Sequence, residues 1–352
     1  MSIARYIPSY SVPLSAALGI YLGGMWTFIT PLYIFLALPA AEWLAGEDKH
    51  NVSGEEESKL KDSLAYSFLL WSHVPLQYVL TGYFLWAFSV DGLSGWALAG
   101  AILSVGISNG GVGITVAHEL IHRSNKVEQW LGRALLLTTC YTHFAIEHVY
   151  GHHKHVATPE DPATAKEGES FYSFWWRTVP NQYRSAWDIE KKRLQKSGNQ
   201  FWSGRNEMLL LTILQLGFLA AVALIFTPAA LLPFLLSSLV AFTLLEAVNY
   251  LEHYGLERKS KDSGRYEKVD HHHSWNSDYK ISRMFLFELS RHSDHHAVAS
   301  RKYQVLRSFE ESPQLPTGYP GMILVALIPP LWFSIMDPLV EQARNGQYSK
   351  TA

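Results

Sequence analysis

The stretch GWALAGAILSVGISNGGVGITVAHELIH, residues 95–122, decides the fold because an apolar run ends there in two histidines. About 20 mostly apolar residues are enough to cross a bilayer as a helix, and no charged side chain precedes Glu119 in this stretch. His118 and His122 are four residues apart, so a continuing helix presents both imidazoles on one face. The stretch therefore predicts a membrane-spanning helix whose end carries two histidines at a metal-ligand spacing.

Four other runs also lack Asp, Glu, Lys and Arg. They cover 6–41, 63–90, 208–245 and 312–336. The first and third runs are long enough for two crossings each, whereas prolines interrupt the last run, which we interpret as a membrane-surface or buried segment. The predicted fold is therefore an all-α bundle of six transmembrane helices, at roughly 7–23, 27–46, 64–90, 93–117, 208–226 and 229–250.

The basic residues predict how this bundle is oriented. Of the 29 Lys and Arg residues, 12 lie in 123–207 and 11 in 254–311, whereas the turns between paired spans carry only Asp91. Positively charged segments stay on the cytoplasmic side of a membrane. The predicted arrangement is one integral-membrane domain, 1–352, with both termini cytoplasmic and two cytoplasmic segments, 118–207 and 251–352.

The composition excludes several classes of protein. Hydrophobic residues make up 48% and charged residues 17%, whereas about a quarter of the residues in soluble domains are charged. A net charge of −2 and 12 tryptophans argue against nucleic-acid binding and against a disordered chain. Cys140 is the only cysteine, so the sequence excludes an internal disulfide, a Cys-ligated zinc site and a rubredoxin-type iron domain.

Nine of the 16 histidines fall in four clusters that have metal-ligand spacing. Nine ligands are too many for one ion, and they suit two ions with four or five imidazoles each. Zn, Cu, Fe and Ni all accept imidazole, so the ligand type alone does not select the metal. We therefore expect a histidine-rich helical cap on the cytoplasmic side that holds a dimetal site. The predicted ligands are His118, His122, His148, His152, His153, His253, His292, His295 and His296.

Polar neighbours are expected to orient these ligands. A carboxylate next to a cluster histidine does not share its helix face, so we expect it to hold the outer N–H of a histidine from another cluster. Such carboxylates also offset the charge of two dications. The residues expected around the ligands are Glu119, Glu147, Glu252 and Asp294, together with His143 and His273.

Two other interpretations of the histidines remain open. HELIH has the HExxH spelling of a zinc protease, with Glu119 as the base, but this interpretation leaves at least five clustered histidines unexplained. A metal transporter would instead place ionisable ligands along a path through the membrane. Most of these histidines lie beyond the predicted span ends on one face, which favours a catalytic site.

Longer strings in the sequence resemble a known family, the integral-membrane non-haem diiron enzymes, and most closely the alkane 1-monooxygenases. The most specific strings are ATPEDPA (157–163), HSWNS (273–277) and RHSDHH (291–296), with NYLEHYG (249–255) in support. The HxxxH spacing of HELIH alone is shared with fatty-acid desaturases. The similarity extends over nearly the whole chain.

The resemblance implies two non-haem iron ions held by the nine histidines, with no haem and no flavin in this chain. It implies hydroxylation of the terminal methyl group of medium- or long-chain n-alkanes to 1-alkanols with O₂. Two electrons would come from a separate rubredoxin, supplied by NAD(P)H through a rubredoxin reductase. The resemblance also adds Asp161 to the residues around the ligands and implies the bacterial inner membrane. No catalytic residue is assigned beyond the metal ligands.

Two positions bear on the substrate. In the resembled family a bulky side chain on the second span can close the substrate channel, and alignment on ALP (37–39) puts Ile34 at that position. A side chain of this size implies acceptance of longer alkanes than Trp would allow. Ile121 and Arg123 stand where the family usually has Gly and Lys, and related xylene hydroxylases carry the Arg. The alternatives are therefore an aromatic-methyl hydroxylase and a fatty-acyl desaturase or hydroxylase.

Overall fold

The predicted all-α architecture is confirmed. A computed structural model describes residues 2–346, and in this range the β structure is limited to three isolated bridges. Short 3-10 helices cover Ile3–Tyr10 and Tyr303–Val305. The main helices are α1 Ser11–Leu22, α2 Gly24–Ala45, α3 Gly54–Lys61, α4 Leu64–Ser89, α5 Gly95–Ile121, α6 Lys126–Leu137, α7 144–155, α8 Phe171–Lys196, α9 Glu207–Ile225, α10 Pro228–His253, α11 Lys280–Phe285, α12 His292–Ala297, α13 Tyr319–Ala326 and α14 Pro329–Arg344.

Four helices are long and apolar enough to cross a membrane, namely α2, α5, α9 and α10. A fifth crossing is formed if α13 and α14, which meet at a bend of 119°, act together as one broken span. In α2, and likewise in α9, only 17% of an apolar stretch of 18 residues is buried inside the protein. Apolar surface of this extent has to be covered by another apolar phase. The chain is therefore a multi-pass membrane protein.

The two remaining predicted spans have a different character. Helix α4 occupies the predicted 64–90 and contains no charged residue, but it is interrupted by polar Ser, His and Gln side chains, and it is not among the four apolar helices. Helix α1 has only 12 residues, although it continues the 3-10 helix before it. Gly23, with φ of 68°, separates α1 from α2 at the predicted break. The count of six spans stays a prediction.

Glycines bring α5 into close contact with α10. A Cβ at Gly106 would lie 2.5 Å from Cβ of Val240, and a Cβ at Gly110 would lie 2.5 Å from the carbonyl oxygen of Ala241. Only glycine allows such an approach between two helix backbones. The segment Ser108–Gly113 of α5 is also wound as a π-helix, a distortion that occurs frequently at functional sites.

Buried arginines anchor the chain just before α12. The side chain of Arg291 is fully buried and donates to the carbonyl oxygen of His50 at 2.9 Å and to Asp278 at 3.3 Å. Arg283 is equally buried and pairs with Glu288 at 2.5 Å. Because an unpaired buried charge is strongly destabilising, these contacts have to form together. They fix the start of α12 against the loop that follows α2.

The close contact between α5 and α10 predicts that Gly110→Ala destabilises the fold. The added methyl group meets the backbone of Ala241, which cannot move aside without shifting α10. Overpacking of this kind costs about 1–3 kcal/mol. Denaturant unfolding in detergent micelles measures the change. The control is Gly217→Ala in α9, where the added Cβ has no neighbour within 4 Å. Equal stability of the two variants would contradict the prediction.

Candidate metal centre

All nine predicted ligands lie at one end of the bundle, in two groups of facing imidazoles. They come from the ends of α5 and α10 and from α7 and α12, so four segments that are distant in the sequence meet here. Within each group the candidate ligand atoms lie within 4.8 Å of one another. The first group contains His118, His122, His148, His153 and His295, and the second contains His152, His253, His292 and His296.

The imidazoles of each group turn their Nε2 atoms toward one another. In the first group, Nε2 of His153 lies 3.1 Å from that of His148 and 3.0 Å from that of His295. In the second group, Nε2 of His292 lies 2.9 Å from that of His296. Nitrogens bonded at about 2.1 Å to one first-row ion lie about 3.0 Å apart when their bonds are at right angles. The observed spacing therefore fits ligands that share an ion.

The burial and the protonation state of the imidazole rings are also those expected of metal ligands. Nε2 of His118 and Nε2 of His122 are buried and have no hydrogen-bond partner among residues 2–346. Burial, and then the neighbouring imidazoles, holds the pKa of His148 and of His295 well below the usual range. Both rings are therefore neutral at neutral pH, and neutral imidazole is the form that binds metals. Each group of histidines could hold a metal ion.

Adjacent histidines in two clusters belong to different groups. His152 lies in the second group and His153 in the first, and the same division separates His296 from His295. Consecutive residues on an α-helix point about 100° apart, so one pair can serve two neighbouring sites. The rings of His153 and His296 stack with their centroids 4.4 Å apart. The two groups are therefore in direct contact through these two imidazole rings.

Asp161 makes the contact that was expected of the surrounding carboxylates. Its Oδ2 accepts a hydrogen bond of 2.8 Å from Nδ1 of His152, which is the nitrogen that faces away from the group. Thr164 donates to the same oxygen at 2.6 Å. Burial alone would raise the pKa of Asp161, but His152 and these hydrogen bonds hold it below its usual value. The ionised carboxylate thus fixes the ring with Nε2 directed into the second group.

His253 is positioned by residues of the loop between α10 and α11. Oγ of Ser274 lies 3.4 Å from its Nδ1, and the backbone of His273 forms a hydrogen bond with the same ring. The side chain of His273 points elsewhere and contacts Glu267 and Asp270. The side chain of His273 was expected to support a ligand and Ser274 was not, although both residues lie in the HSWNS string.

Glu252 reaches a histidine of another cluster, as expected, but on the opposite side of the ring. Its Oε2 lies 3.2 Å from Nε2 of His292, the nitrogen that faces the second group. Its Oε1 accepts a hydrogen bond of 2.6 Å from the hydroxyl of Tyr319. Glu252 therefore borders the site itself instead of holding an outer N–H. Tyr319 was not foreseen, because it follows a proline-rich segment that has no histidine.

Two further carboxylates contact residues outside both groups. Glu119 pairs with Arg123 at 2.7 Å, and Asp294 pairs with Arg301 at 2.5 Å. Neither makes the expected contact to the outer N–H of a predicted ligand. Arg123, four residues after Glu119, and Arg301, seven residues after Asp294, lie on the same stretches of chain as the carboxylates that they contact.

Glu147 and His143 lie together on the far side of α7. Glu147 accepts a hydrogen bond of 3.3 Å from Ser185 of α8, and burial, followed by the charge of Asp161, raises its pKa well above the usual range. His143 packs against the ring of Tyr141, with centroids 4.2 Å apart. Within the described part of the chain, neither side chain contacts a predicted ligand.

An apolar cavity leads to both groups. Helices α2, α5, α10, α11 and α13 contribute most of its wall. His118 of the first group, His292 of the second group and Glu252 also line it. Ile34, the residue predicted for a substrate channel, is part of the same wall. The cavity can therefore bring an apolar molecule to both groups of imidazoles.

Comparison with known proteins places this chain among membrane oxygenases. The fatty acid desaturase family matches residues 94–326. Alkane 1-monooxygenase 2 of Pseudomonas aeruginosa is 42% identical, over 96% of this chain and 90% of that protein. Alkane 1-monooxygenase of Acinetobacter baylyi is 40% identical, over 88% of this chain and 76% of that protein. The hydroxylase component of a xylene/toluene monooxygenase of Pseudomonas putida is 30% identical, over 68% and 63%.

The contact between Asp161 and His152 predicts that Asp161→Asn weakens metal binding. The amide keeps the size of the side chain but lacks the negative charge that holds the ring. Loss of such a partner lowers metal affinity roughly 10–100-fold. Competition with a chelator, followed by metal analysis, measures the change.

The matched control for this experiment is Glu160→Gln. Glu160 is next to Asp161 and pairs with His155 at 2.7 Å, and His155 belongs to neither group. Its metal affinity should stay at the wild-type value. Wild-type affinity in Asp161→Asn as well would show that this carboxylate does not position a ligand.

Proposed function

The chain belongs to the alkane 1-monooxygenase family, and we propose that it hydroxylates the terminal methyl group of medium- and long-chain n-alkanes. It is an oxidoreductase. One atom of O₂ enters the C–H bond and gives the 1-alkanol, and the other atom leaves as water after uptake of two electrons and two protons. The chain also belongs to the broader fatty acid desaturase family, whose model matches residues 94–326.

The observation that carries this proposal is the apolar cavity that reaches imidazoles of both groups. An n-alkane would enter it from the bilayer and lie along its wall with the terminal methyl group beside His118 and His292. Burial of each CH₂ contributes about 0.8 kcal/mol to binding. The cavity wall holds the rest of the alkane and so fixes the position of its terminal methyl group. This position decides which carbon reacts.

We assign the nine histidines as ligands of two non-haem iron ions, five to one ion and four to the other. When bound, these ions supply the redox chemistry that O₂ activation needs, which zinc does not have. The protein holds the ligand rings neutral and oriented, with Asp161 fixing His152. On the cavity side, Glu252 and Tyr319 form a hydrogen-bonded pair next to the second group.

We further propose one membrane domain over 1–352 with six spans, in which α1 with the 3-10 helix before it, and α4, add two spans to the four long apolar helices. Both termini and the two histidine groups would face the cytoplasm of a bacterium, at the inner membrane. The support is the concentration of Lys and Arg in 123–207 and 254–311, the segments that follow α5 and α10.

A separate rubredoxin is the proposed electron donor, supplied by NAD(P)H through a rubredoxin reductase. Its iron is held by four thiolates, and the sequence contains only Cys140. Burial raises the pKa of that thiol to about 11, and one thiol cannot supply the four thiolates of a rubredoxin site. The single cysteine thus supports an electron donor that is a separate protein.

The relative that acts on xylene and toluene gives less support to an aromatic-methyl substrate. It is 30% identical and matches 68% of this chain, whereas the two alkane 1-monooxygenases are 40–42% identical over 88–96%. Product analysis with n-octane and with p-xylene compares the two substrates directly. A preference for the aromatic substrate would reverse our assignment.

Turnover by purified protein tests the proposed function. The protein, loaded with iron, is given n-octane, O₂, rubredoxin, reductase and NADH, and 1-octanol is measured by gas chromatography. We expect product only when O₂ and both carrier proteins are present, and no product after a chelator has removed the metal. Bound iron without any oxygenated product would refute the alkane hydroxylase assignment.

Ile34→Trp is predicted to reduce the maximum chain length of the n-alkanes that are accepted. Ile34 lines the cavity, so a larger ring there occupies space that the substrate chain needs. Product profiles from n-hexane to n-hexadecane measure the limit. Leu36→Trp on the same helix serves as the control, since Leu36 is 63% exposed and lies outside this cavity. An unchanged limit in Ile34→Trp would show that this side chain does not restrict the substrate.

A further inference from the structure

The interior glycines of α5 differ in the reason why glycine is needed. At Gly100, Gly106, Gly110 and Gly113 an added Cβ would come closer than 3.0 Å to a neighbouring helix or side chain. Close packing therefore explains glycine at these positions, most strictly at Gly110, where the neighbouring atoms are backbone, and least strictly at Gly113, where they are the end of the Gln77 side chain. The exception is Gly111, which lies between two of them.

Neither packing nor backbone conformation requires glycine at Gly111. A Cβ there would meet only Cδ2 of Leu244, at an ordinary contact distance of 3.6 Å. The backbone of Gly111 is not in the left-handed region, since it is not among the residues with positive φ. Glycine inside a helix is less stable than alanine because it loses more conformational freedom on folding. Another constraint must therefore explain this glycine.

The apolar cavity supplies that constraint. Gly111 and Leu244 both line it, on α5 and α10, and the gap between them is part of its cross-section. His118 is seven residues further along α5, which corresponds to about 10 Å at 1.5 Å per residue. Ile107 also lines the cavity and lies about 16 Å from His118 by the same measure. The cavity thus continues beyond Gly111, away from the histidines.

We propose that Gly111 determines chain-length specificity by keeping the cavity open opposite Leu244. This inference rests on the proposed alkane hydroxylation. A substrate whose reacting end lies at the histidines can extend past this point only because residue 111 has no side chain. A side chain there closes the distal part of the cavity and leaves the part next to the histidines intact. The restriction is separate from Ile34, which lies on α2.

Substitution of Gly111 by residues of increasing size tests the proposal. In Gly111→Val we expect turnover of n-hexadecane to fall at least tenfold relative to turnover of n-octane, with Gly111→Ala between this variant and wild type. The melting temperature of Gly111→Ala should be equal to or above that of wild type, because alanine fits the helix better. Metal content should not change in either variant.

Two further variants make the test specific. Leu244→Ala removes the opposing side chain, so adding it to Gly111→Val should restore the n-hexadecane to n-octane ratio. Gly217→Val adds the same side chain in α9, where no atom lies within 4 Å, and should keep the wild-type ratio. A wild-type ratio in Gly111→Val, or an equal loss of both activities, would overturn the proposal.

A binding measurement separates this proposal from the proposed function. The protein is equilibrated with equal amounts of n-octane and n-hexadecane and purified again, and the bound alkanes are extracted and quantified by gas chromatography. Gly111→Val should retain less n-hexadecane than wild type and the same amount of n-octane. This binding result would support the role of Gly111 even if the wild-type protein gave no product. The absence of product would refute only the hydroxylase assignment. Equal retention of n-hexadecane by both proteins would overturn the role of Gly111.

Discussion

The structure depends on the convergence of buried, neutral imidazoles at one end of a helical bundle. Nine rings from four segments turn toward two points, and within each group neighbouring Nε2 atoms approach to about the spacing of ligands on one ion. Burial lowers the pKa of the rings outside the spans, for example that of His148, so they do not repel one another as cations. The same contacts that complete the cap therefore also bring the two groups of histidines together.

Helix geometry determines how two sites can be built from so few segments. The adjacent pairs 152–153 and 295–296 each send one ring to each group, because consecutive residues on a helix point in different directions. Supporting contacts come from outside these helices. Asp161 lies beyond the end of α7, and Ser274 lies in the loop between α10 and α11. Side chains from two loops thus orient rings of the second group.

The glycines of α5 serve two different purposes within a short stretch. Gly106 and Gly110 let α5 and α10 approach closely, which fixes the separation of the two helices that end in His118 and His253. Gly111 leaves a gap on the side of the cavity instead. A glycine that close packing explains and a glycine that faces open space therefore lie next to each other, at Gly110 and Gly111 in the π-helical turn Ser108–Gly113.

The sequence by itself determined the helical fold, the four most apolar spans and the set of nine histidines, because hydropathy and the i, i+4 spacing are local properties of the chain. Tertiary structure alone decided the division into groups of five and four. It also decided which carboxylate supports a ligand: Asp161 does, whereas Glu119 and Asp294 pair with arginines. The division into two groups depends on how distant helices cross, and the periodicity of one segment carries no information about the side chains that another segment brings to it. The contacts of Asp161 and Asp294 depend on how the chain folds back after α7 and after α12.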